Sequence, residues 1–106
     1  MTSVSKLRLT QAVAQERIRK IALTSLNVIL GTHAKERMVE RDIVRHDIDR
    51  VLRNGYVEGI PEPAEEGEWK CKMTLPIKGR RDLGVVVILL RTGKLFVKTA
   101  EWEDPK

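Results

Sequence analysis

Residues 83–99 read LGVVVILLRTGKLFVKT and carry the clearest β-strand signal of the chain. The apolar run at residues 83–90 predicts a central strand that is buried on both faces. Thr92 and Gly93 predict a hairpin turn. Residues 94–99 predict the partner strand, because Leu and Val alternate there with basic or aromatic side chains. The region therefore predicts an antiparallel hairpin in the middle of a sheet.

Two further strands are predicted on the N-terminal side of this hairpin. Residues 69–75 alternate between apolar and polar side chains, which is typical of an antiparallel strand with one buried face. Residues 56–60 predict a first strand. The acidic, proline-containing residues 61–67 predict a solvated loop, and the basic segment 76–82 predicts a turn. Together with the hairpin, these segments predict a four-stranded antiparallel sheet.

The first half of the chain is predicted to be helical. Apolar residues recur every three to four positions in residues 6–30, which predicts one bent helix or two shorter ones. A second helix is predicted at residues 33–40, with Thr32 as its N-terminal cap, and a third at residues 45–53. Helices followed by strands predict an α+β fold, in which N-terminal helices pack on the four-stranded antiparallel sheet.

Length and composition predict one domain. The chain has 106 residues, of which 42% are hydrophobic. We expect a single domain over residues 1–106, with a helical extension at residues 1–30 and an α+β core at residues 32–102. One cysteine and two histidines argue against an internal disulfide or a zinc cluster, so we predict no cofactor and no metal. We recognise no signal peptide and no long apolar span, which predicts a cytoplasmic protein that does not enter a membrane.

The charge distribution predicts a polyanionic partner such as RNA. The net charge is +5, and residues 58–68 contain five acids and no base, whereas residues 70–98 contain eight bases and one acid. A positive strand surface suits a ribose-phosphate backbone, although lysines on strands also serve solubility and edge protection. The candidates for phosphate or RNA binding are Lys70, Lys72, Arg80, Arg81 and Lys98.

His33, Arg37 and Arg41 are the candidate catalytic residues. Their spacing of four places them along one face of the second predicted helix. Guanidinium groups bind phosphate bidentately, and an imidazole exchanges a proton near neutral pH. The pattern also fits an ordinary ion-paired helix, because Glu36 and Glu40 are interleaved with these residues, or a helix that the three side chains tie to the sheet by hydrogen bonds.

Residues 33–43 read HAKERMVERDI and, with VLRNG at residues 51–55, resemble a family of small bacterial domains of unknown function. The family pattern is His-x3-Arg-Met-x2-Arg-Gly-Ile, then Val-Leu-x-x-Gly, then strands with a Val-rich core and a Thr-containing last strand. Asp42 stands where the pattern usually has glycine. The resemblance covers residues 32–102, and the family is similar to the RelE/ParE-like toxins, which include MqsR and BrnT.

The resemblance implies a RelE/ParE-like fold and the toxin of a bacterial type II toxin–antitoxin system. Such a toxin is a metal-independent endoribonuclease, an mRNA interferase that cuts messenger RNA, in some cases on the ribosome. A cognate antitoxin protein neutralises it. In such enzymes the ribose 2′-hydroxyl attacks the adjacent phosphate, so His33 is a candidate base or acid and Arg37 and Arg41 are candidates for holding phosphates.

Two alternatives remain open. One is a ParE-like toxin that binds a protein target such as DNA gyrase and cuts nothing. The other is a non-enzymatic nucleic-acid-binding or adaptor module, in which the helix at residues 33–41 is structural. Residues 1–30 are a candidate contact for an antitoxin or for a second copy of the chain in a homodimer.

Overall fold

The computed structural model describes residues 8–77 and 81–103, and within them three α-helices lie on one face of a five-stranded sheet. The elements are, in chain order, α1 (Gln11–Ala22), a 3-10 turn (Ser25–Asn27), β1 (Val28–Leu30), α2 (Thr32–Arg41), α3 (Arg45–Asn54), β2 (Tyr56–Pro63), β3 (Trp69–Ile77), β4 (Arg81–Leu89) and β5 (Leu95–Glu103). The strand order is β1-β5-β4-β3-β2, in which β1 is parallel to β5 and the other neighbours are antiparallel. The predicted α+β class is confirmed.

The prediction of four antiparallel strands is wrong, because the described residues form five strands in a mixed sheet. Residues 28–30, which their periodicity assigns to the end of the first helix, form β1 and pair in parallel with the start of β5. α1 ends at Ala22. Val28 and Ile29 are β-branched, so they lose side-chain freedom in a helix and pack well on a sheet. The strand that pairs with β1 lies far along the chain, so the local periodicity of residues 28–30 carries no information about this pairing.

Backbone geometry defines both ends of α2. Gly31, rather than Thr32, is the N-terminal cap residue, so the predicted cap is wrong by one position. Gly31 donates its N–H to the Val97 carbonyl, and a Cβ here would lie 2.6 Å from the Phe96 ring. At the other end Asp42 is left-handed, with φ of 56°. Glycine adopts that conformation without strain, and aspartate is one of the few other residues that tolerate it.

The core lies between the helices and one face of the sheet. α3 buries Ile48, Val51 and Leu52 completely, as its apolar spacing predicts. α1 packs on β2 and α3, α3 packs on β3 and β4, and α2 packs mainly on β5. β4 is central, as predicted, but its outward side chains Val86 and Ile88 are only half-buried. The prediction that this strand is buried on both faces is therefore wrong.

The helices leave the other side of the sheet uncovered, and we call it the open face. The cross-strand register places Glu58 of β2, Lys70 and Lys72 of β3, Val86 of β4 and Glu101 of β5 on it. Because successive strand residues alternate between faces, the apolar neighbours of these residues point into the core. Two of the five predicted phosphate ligands, Lys70 and Lys72, therefore lie on the open face.

Side chains of α1 cover the outer edge of β2. An edge strand exposes unpaired backbone groups, which invite pairing with another chain. Three residues spaced by four along α1 satisfy these groups in turn. Gln11 donates to the Gly59 carbonyl, Gln15 Oε1 accepts the Val57 N–H at 2.9 Å, and Arg19 donates through Nη2 to the Gly55 carbonyl at 2.6 Å. α1 is thus joined to the sheet by polar contacts as well as by its buried apolar residues.

The opposite edge of the sheet is closed at Val28 of β1. Its N–H donates to the Ser25 carbonyl within the preceding 3-10 turn. Its carbonyl accepts from Arg45 Nη2 at 3.1 Å. Both backbone groups of this residue are therefore satisfied, and the short strand offers little surface for pairing with another chain.

Candidate functional site

The three candidate catalytic residues lie along one face of α2. His33, Arg37 and Arg41 follow one another at intervals of about one helical turn. Their side chains are 57%, 36% and 37% exposed, respectively. We call this row of one histidine and two arginines the α2 stripe. His33 and Arg37 are open to a ligand that approaches from solvent, whereas Nη1 of Arg41 is buried and has no hydrogen-bond partner among the described residues.

Among the described residues, the side chains of the stripe lie beside carboxylates. Arg37 Nη1 donates to Glu40 Oε1 at 2.7 Å, and His33 Nδ1 lies 3.9 Å from Glu36 Oε1. Arg41 lies 3.8 Å from Glu40, at the margin of an ion pair. Exposed ion pairs of this kind contribute roughly 0–1 kcal/mol each, so an incoming anion can replace the glutamates.

Other arginines of the helices have a different role, because they donate to backbone carbonyls and hold elements together. Arg19, Arg45 and Arg53 are the three examples. Their acceptors are the carbonyls of Gly55, Val28 and Ala22, respectively. Among the described residues, the side chains of His33 and Arg37 make no such bond to the backbone. These two side chains instead contact carboxylates of the same helix, those of Glu36 and Glu40.

The lysines of the open face each lie beside a glutamate. Lys70 Nζ is 3.3 Å from Glu62 Oε1, and Lys72 Nζ is 2.9 Å from Glu103 Oε1 and 3.9 Å from Glu58 Oε1. Part of the predicted acidic loop belongs to β2, since this strand extends to residue 63. Antiparallel pairing of β2 with β3 thus places acids alongside the lysines. The surface is mixed in charge, where the sequence predicts a positive one.

The pKa of Lys72 reflects these neighbours. Partial burial lowers this pKa, but the hydrogen bond with Glu103 and the negative charges of Glu103, Glu58 and Glu101 raise it by more, so the net shift is upward. Lys72 is therefore a cation that its own carboxylate neighbours already engage. A phosphate has to compete with them for this ammonium group.

The remaining predicted phosphate ligands have different surroundings. The Arg81 guanidinium lies over the Trp102 ring, 5.3 Å from its centroid. Trp102 Nε1 donates to the Arg41 carbonyl at 2.8 Å, so Arg81 is brought towards the C-terminal end of α2. Lys98 is exposed at the β-bulge of β5. Arg80 lies outside the described residues.

One ion pair connects the α2 stripe to the open face. Arg41 Nη2 lies 4.0 Å from Glu101 Oε1, and the charge of Glu101 also raises the pKa of Lys72. Arg41 and Lys72 thus share an acidic neighbour. In the contacts of the described residues, His33 and Arg37 have no link to the strand lysines, and convergence of the whole set in one cleft stays a prediction.

Sequence reasoning missed two features of the molecule. One is Glu101, whose proximity to Arg41 and Lys72 follows from strand register and not from chain order. The other is a cleft of about 340 Å³ between α1 and the end of α3, lined by Arg19, Lys20 and Arg53 among others. The only sequence signal for it is the excess of basic over acidic residues in the helices.

Cys71 is a buried core residue, as its place in the alternating strand predicts. Burial raises the pKa of its thiol to about 11, so the thiolate is scarce at neutral pH. Within residues 8–77 and 81–103, no three His, Cys, Asp or Glu side chains are grouped so as to hold a metal ion. No helix in that part of the chain is long and apolar enough to cross a membrane.

The fold and the α2 stripe define the class as a small α+β domain with a cationic helix at the edge of a mixed sheet. The chain belongs to the DUF4258 family, a domain of unknown function, whose model matches residues 30–102. The match begins in β1 and ends in β5, so α1 lies outside it. No curated protein and no solved structure matches the chain.

Proposed function

We propose that this protein is a metal-independent endoribonuclease and the toxin of a type II toxin–antitoxin system, with the α2 stripe as its reactive surface. One observation carries the proposal. The exposed side chains of His33 and Arg37 meet only carboxylates of their own helix among the described residues, whereas Arg19, Arg45 and Arg53 are engaged with the backbone. His33 and Arg37 are therefore polar groups that, in the described part of the chain, have no hydrogen bond or ion pair to another element of the fold, and Arg41 adds a positive charge beside them.

A phosphodiester suits this arrangement. Arg37 has one hydrogen bond to Glu40, and a guanidinium has five N–H donors, so a phosphate can bind it bidentately. Arg41 adds a second positive charge one turn further along α2. Both groups would stabilise the charge that accumulates on the phosphoryl oxygens during the reaction.

The proposed reaction is an internal transfer at phosphorus. His33 accepts the proton of the ribose 2′-hydroxyl as the O2′–P bond forms. The P–O5′ bond breaks, and the leaving 5′-oxygen takes a proton from water. The products are a 2′,3′-cyclic phosphate and a free 5′-hydroxyl. The reaction as proposed requires no oxidant, reductant or metal ion.

The toxin assignment rests on the resemblance of residues 33–55 to the family pattern, and through that family to RelE/ParE-like toxins. A toxin requires an antitoxin that covers its reactive surface. A partner with acidic residues would complement a chain of net charge +5 and would compete with RNA for the stripe.

A ParE-like toxin that binds a protein target is the second candidate function. Exposed apolar residues in the connection between α1 and β1 favour it. Leu23 is 69% exposed and Leu26 is 86% exposed. Protein-binding surfaces gather such residues, whereas single exposed apolar side chains are common on any protein.

Expression of the protein in growing bacteria tests these functions. We expect wild type to arrest growth and to fragment RNA, and His33→Ala and Arg37→Ala to do neither. The matched control is His46→Ala, which removes the other histidine, an exposed residue of α3. Thermal melting of each purified variant checks folding. Arrest without RNA fragments would favour the ParE-like function, and full activity of folded His33→Ala would refute the proposed ribonuclease site.

A further inference from the structure

Cations without a carboxylate partner are concentrated on α1 and α3. Ion pairs neutralise lysines on the open face, and Arg45 of α3 pairs with Asp49. The remaining acid of α3, Asp47, is buried. Among the described residues, the cations of these two helices with no carboxylate oxygen within 4.0 Å are Arg17, Arg19, Lys20, Arg50 and Arg53. The unbalanced positive charge of the described residues is therefore largest on the helical layer and not on the sheet.

Three of these cations line the cleft between α1 and the end of α3. Arg19, Lys20 and Arg53 share it with a single acid, Glu16, and Leu23 contributes apolar surface. Arg50 lies three residues before Arg53 in α3 and is exposed, so it extends the same basic surface. We call this surface, made of these four cations, the basic cleft.

Two of the three arginines of the basic cleft, Arg19 and Arg53, are fixed in place. Arg19 donates through Nε and Nη2 to the Gly55 carbonyl at 3.0 and 2.6 Å. Arg53 donates through Nε to the Ala22 carbonyl at 2.8 Å. Each guanidinium keeps further N–H donors for a ligand. Little side-chain freedom remains to be lost when an anion binds, which favours binding.

An exposed aromatic ring adjoins the basic cleft. The Arg19 guanidinium lies over the Tyr56 ring, 5.1 Å from its centroid, and Tyr56 is 59% exposed. Nucleic-acid bases stack on tyrosine and on arginine planes. An acidic peptide would use the cations but not the ring, so this pairing favours a nucleic acid.

We propose that the basic cleft is a binding surface for single-stranded RNA, which contacts phosphates through Lys20, Arg50 and the two fixed arginines and stacks a base beside Tyr56. The proposal rests on the proposed function, because that function is the reason to take RNA as the polyanionic ligand. Binding of RNA in the basic cleft does not require His33 or cleavage of the RNA. α1 packs mainly on β2 and α3, whereas α2 packs mainly on β5, so this surface is separate from the α2 stripe. An RNA strand held here would be presented to the stripe from across the helical layer.

Binding of a fluorescent single-stranded 2′-O-methyl RNA to the full chain tests this inference, because the blocked 2′-oxygen prevents cleavage by the proposed route. The test variant is Lys20→Ala/Arg50→Ala. Neither side chain has a hydrogen bond or ion pair to another described residue. The charge-matched control is Lys35→Ala/Lys94→Ala, two exposed lysines outside the cleft. Each variant is measured over a range of salt concentrations.

We expect the cleft variant to bind RNA about tenfold more weakly than wild type at low salt. The slope of its log affinity against log salt concentration should be shallower, by the amount that corresponds to about two lost phosphate contacts. Both changes should be much smaller in the control. Tyr56→Leu should weaken RNA binding several-fold and leave binding of inorganic polyphosphate unchanged. Equal affinities of the cleft variant and the control would overturn the proposal. Binding of polyglutamate by a wild type that does not bind RNA would overturn it as well. A wild type that binds RNA through the cleft but cuts none would refute only the ribonuclease function.

Discussion

Arg37 and Glu40 form the shortest ion pair of the α2 stripe, with 2.7 Å between Nη1 and Oε1. Their side chains are 36% and 56% exposed, so water screens the attraction. Glu40 thus occupies the group that is proposed to bind phosphate without holding it strongly. The pair defines the stripe as a surface on which a carboxylate and a phosphate compete for one guanidinium.

Glu40→Gln should therefore strengthen RNA binding. Removal of the negative charge leaves Arg37 free for phosphate and removes a repulsion, with an expected gain of about threefold in affinity at low salt. Fluorescence anisotropy with labelled 2′-O-methyl RNA measures this affinity. Glu66→Gln is the control. Glu66 is an exposed acid of the β2–β3 loop, so this substitution removes the same charge at a different place on the surface. Equal gains in the two variants would show that net charge, and not the stripe, determines the effect.

Gln15→Ala should destabilise the contact between α1 and β2. Gln15 Oε1 accepts the Val57 N–H at 2.9 Å, and the variant leaves that partly buried N–H without its acceptor. We expect a loss of about 1 kcal/mol in the free energy of unfolding, measured with urea. Gln15→Glu keeps an oxygen acceptor at the same place and should retain most of the stability. If both variants are as stable as wild type, the edge of β2 does not depend on this bond.

Gly31→Ala should destabilise the junction between β1 and α2. The added Cβ would lie 2.6 Å from the Phe96 ring and 3.0 Å from the Val97 carbonyl oxygen, so the ring has to move. The expected cost is about 1–3 kcal/mol in the free energy of unfolding. Combining it with Phe96→Leu should cost less than the sum of the two single changes, because the smaller side chain relieves the clash. Simple additivity in thermal or urea unfolding would refute this account of the glycine.

The Cys71 thiol should make the protein less stable in alkali. Burial raises its pKa from 9.0 to about 11, so the folded state resists loss of the proton that the unfolded state loses more easily. The contribution is complete below pH 9 and is lost as the pH rises to about 11, by roughly 2 kcal/mol. The raised pKa of Lys72 acts in the same direction at still higher pH.

Cys71→Val isolates the thiol, because it keeps an apolar side chain of similar size in the core. Its free energy of unfolding should fall less steeply between pH 9 and 11 than that of wild type. Iodoacetamide should modify the wild-type thiol slowly in the folded protein and rapidly in denaturant. Identical pH dependence of the two proteins would contradict the predicted role of Cys71.

Local pattern predicted those parts of the fold that local forces determine. The inner face of α3 and the alternation of β3 follow from period and burial, and both are confirmed. β1 was not predictable in this way, since three residues carry too little periodicity and their partner, β5, is distant in the chain. A strand of this length is stabilised by the sheet that it joins and not by its own sequence.

The same limit applies to the candidate site. Helical spacing of four predicted the α2 stripe on one face, but the neighbours of Lys70 and Lys72 depend on strand register. Glu62 lies opposite Lys70 only because β2 continues past the point where its prolines predict a loop. The charge count along the chain therefore overestimated the positive charge of the open face.

Cleavage of an unstructured RNA by the purified protein, with chemical analysis of the new ends, tests whether the α2 stripe is a ribonuclease site. We expect 2′,3′-cyclic phosphate and 5′-hydroxyl ends, formed in the presence of a metal chelator, by wild type and by His46→Ala but not by folded His33→Ala. Cleavage that requires a divalent metal, yields 5′-phosphate ends or persists unchanged in His33→Ala would contradict this expectation.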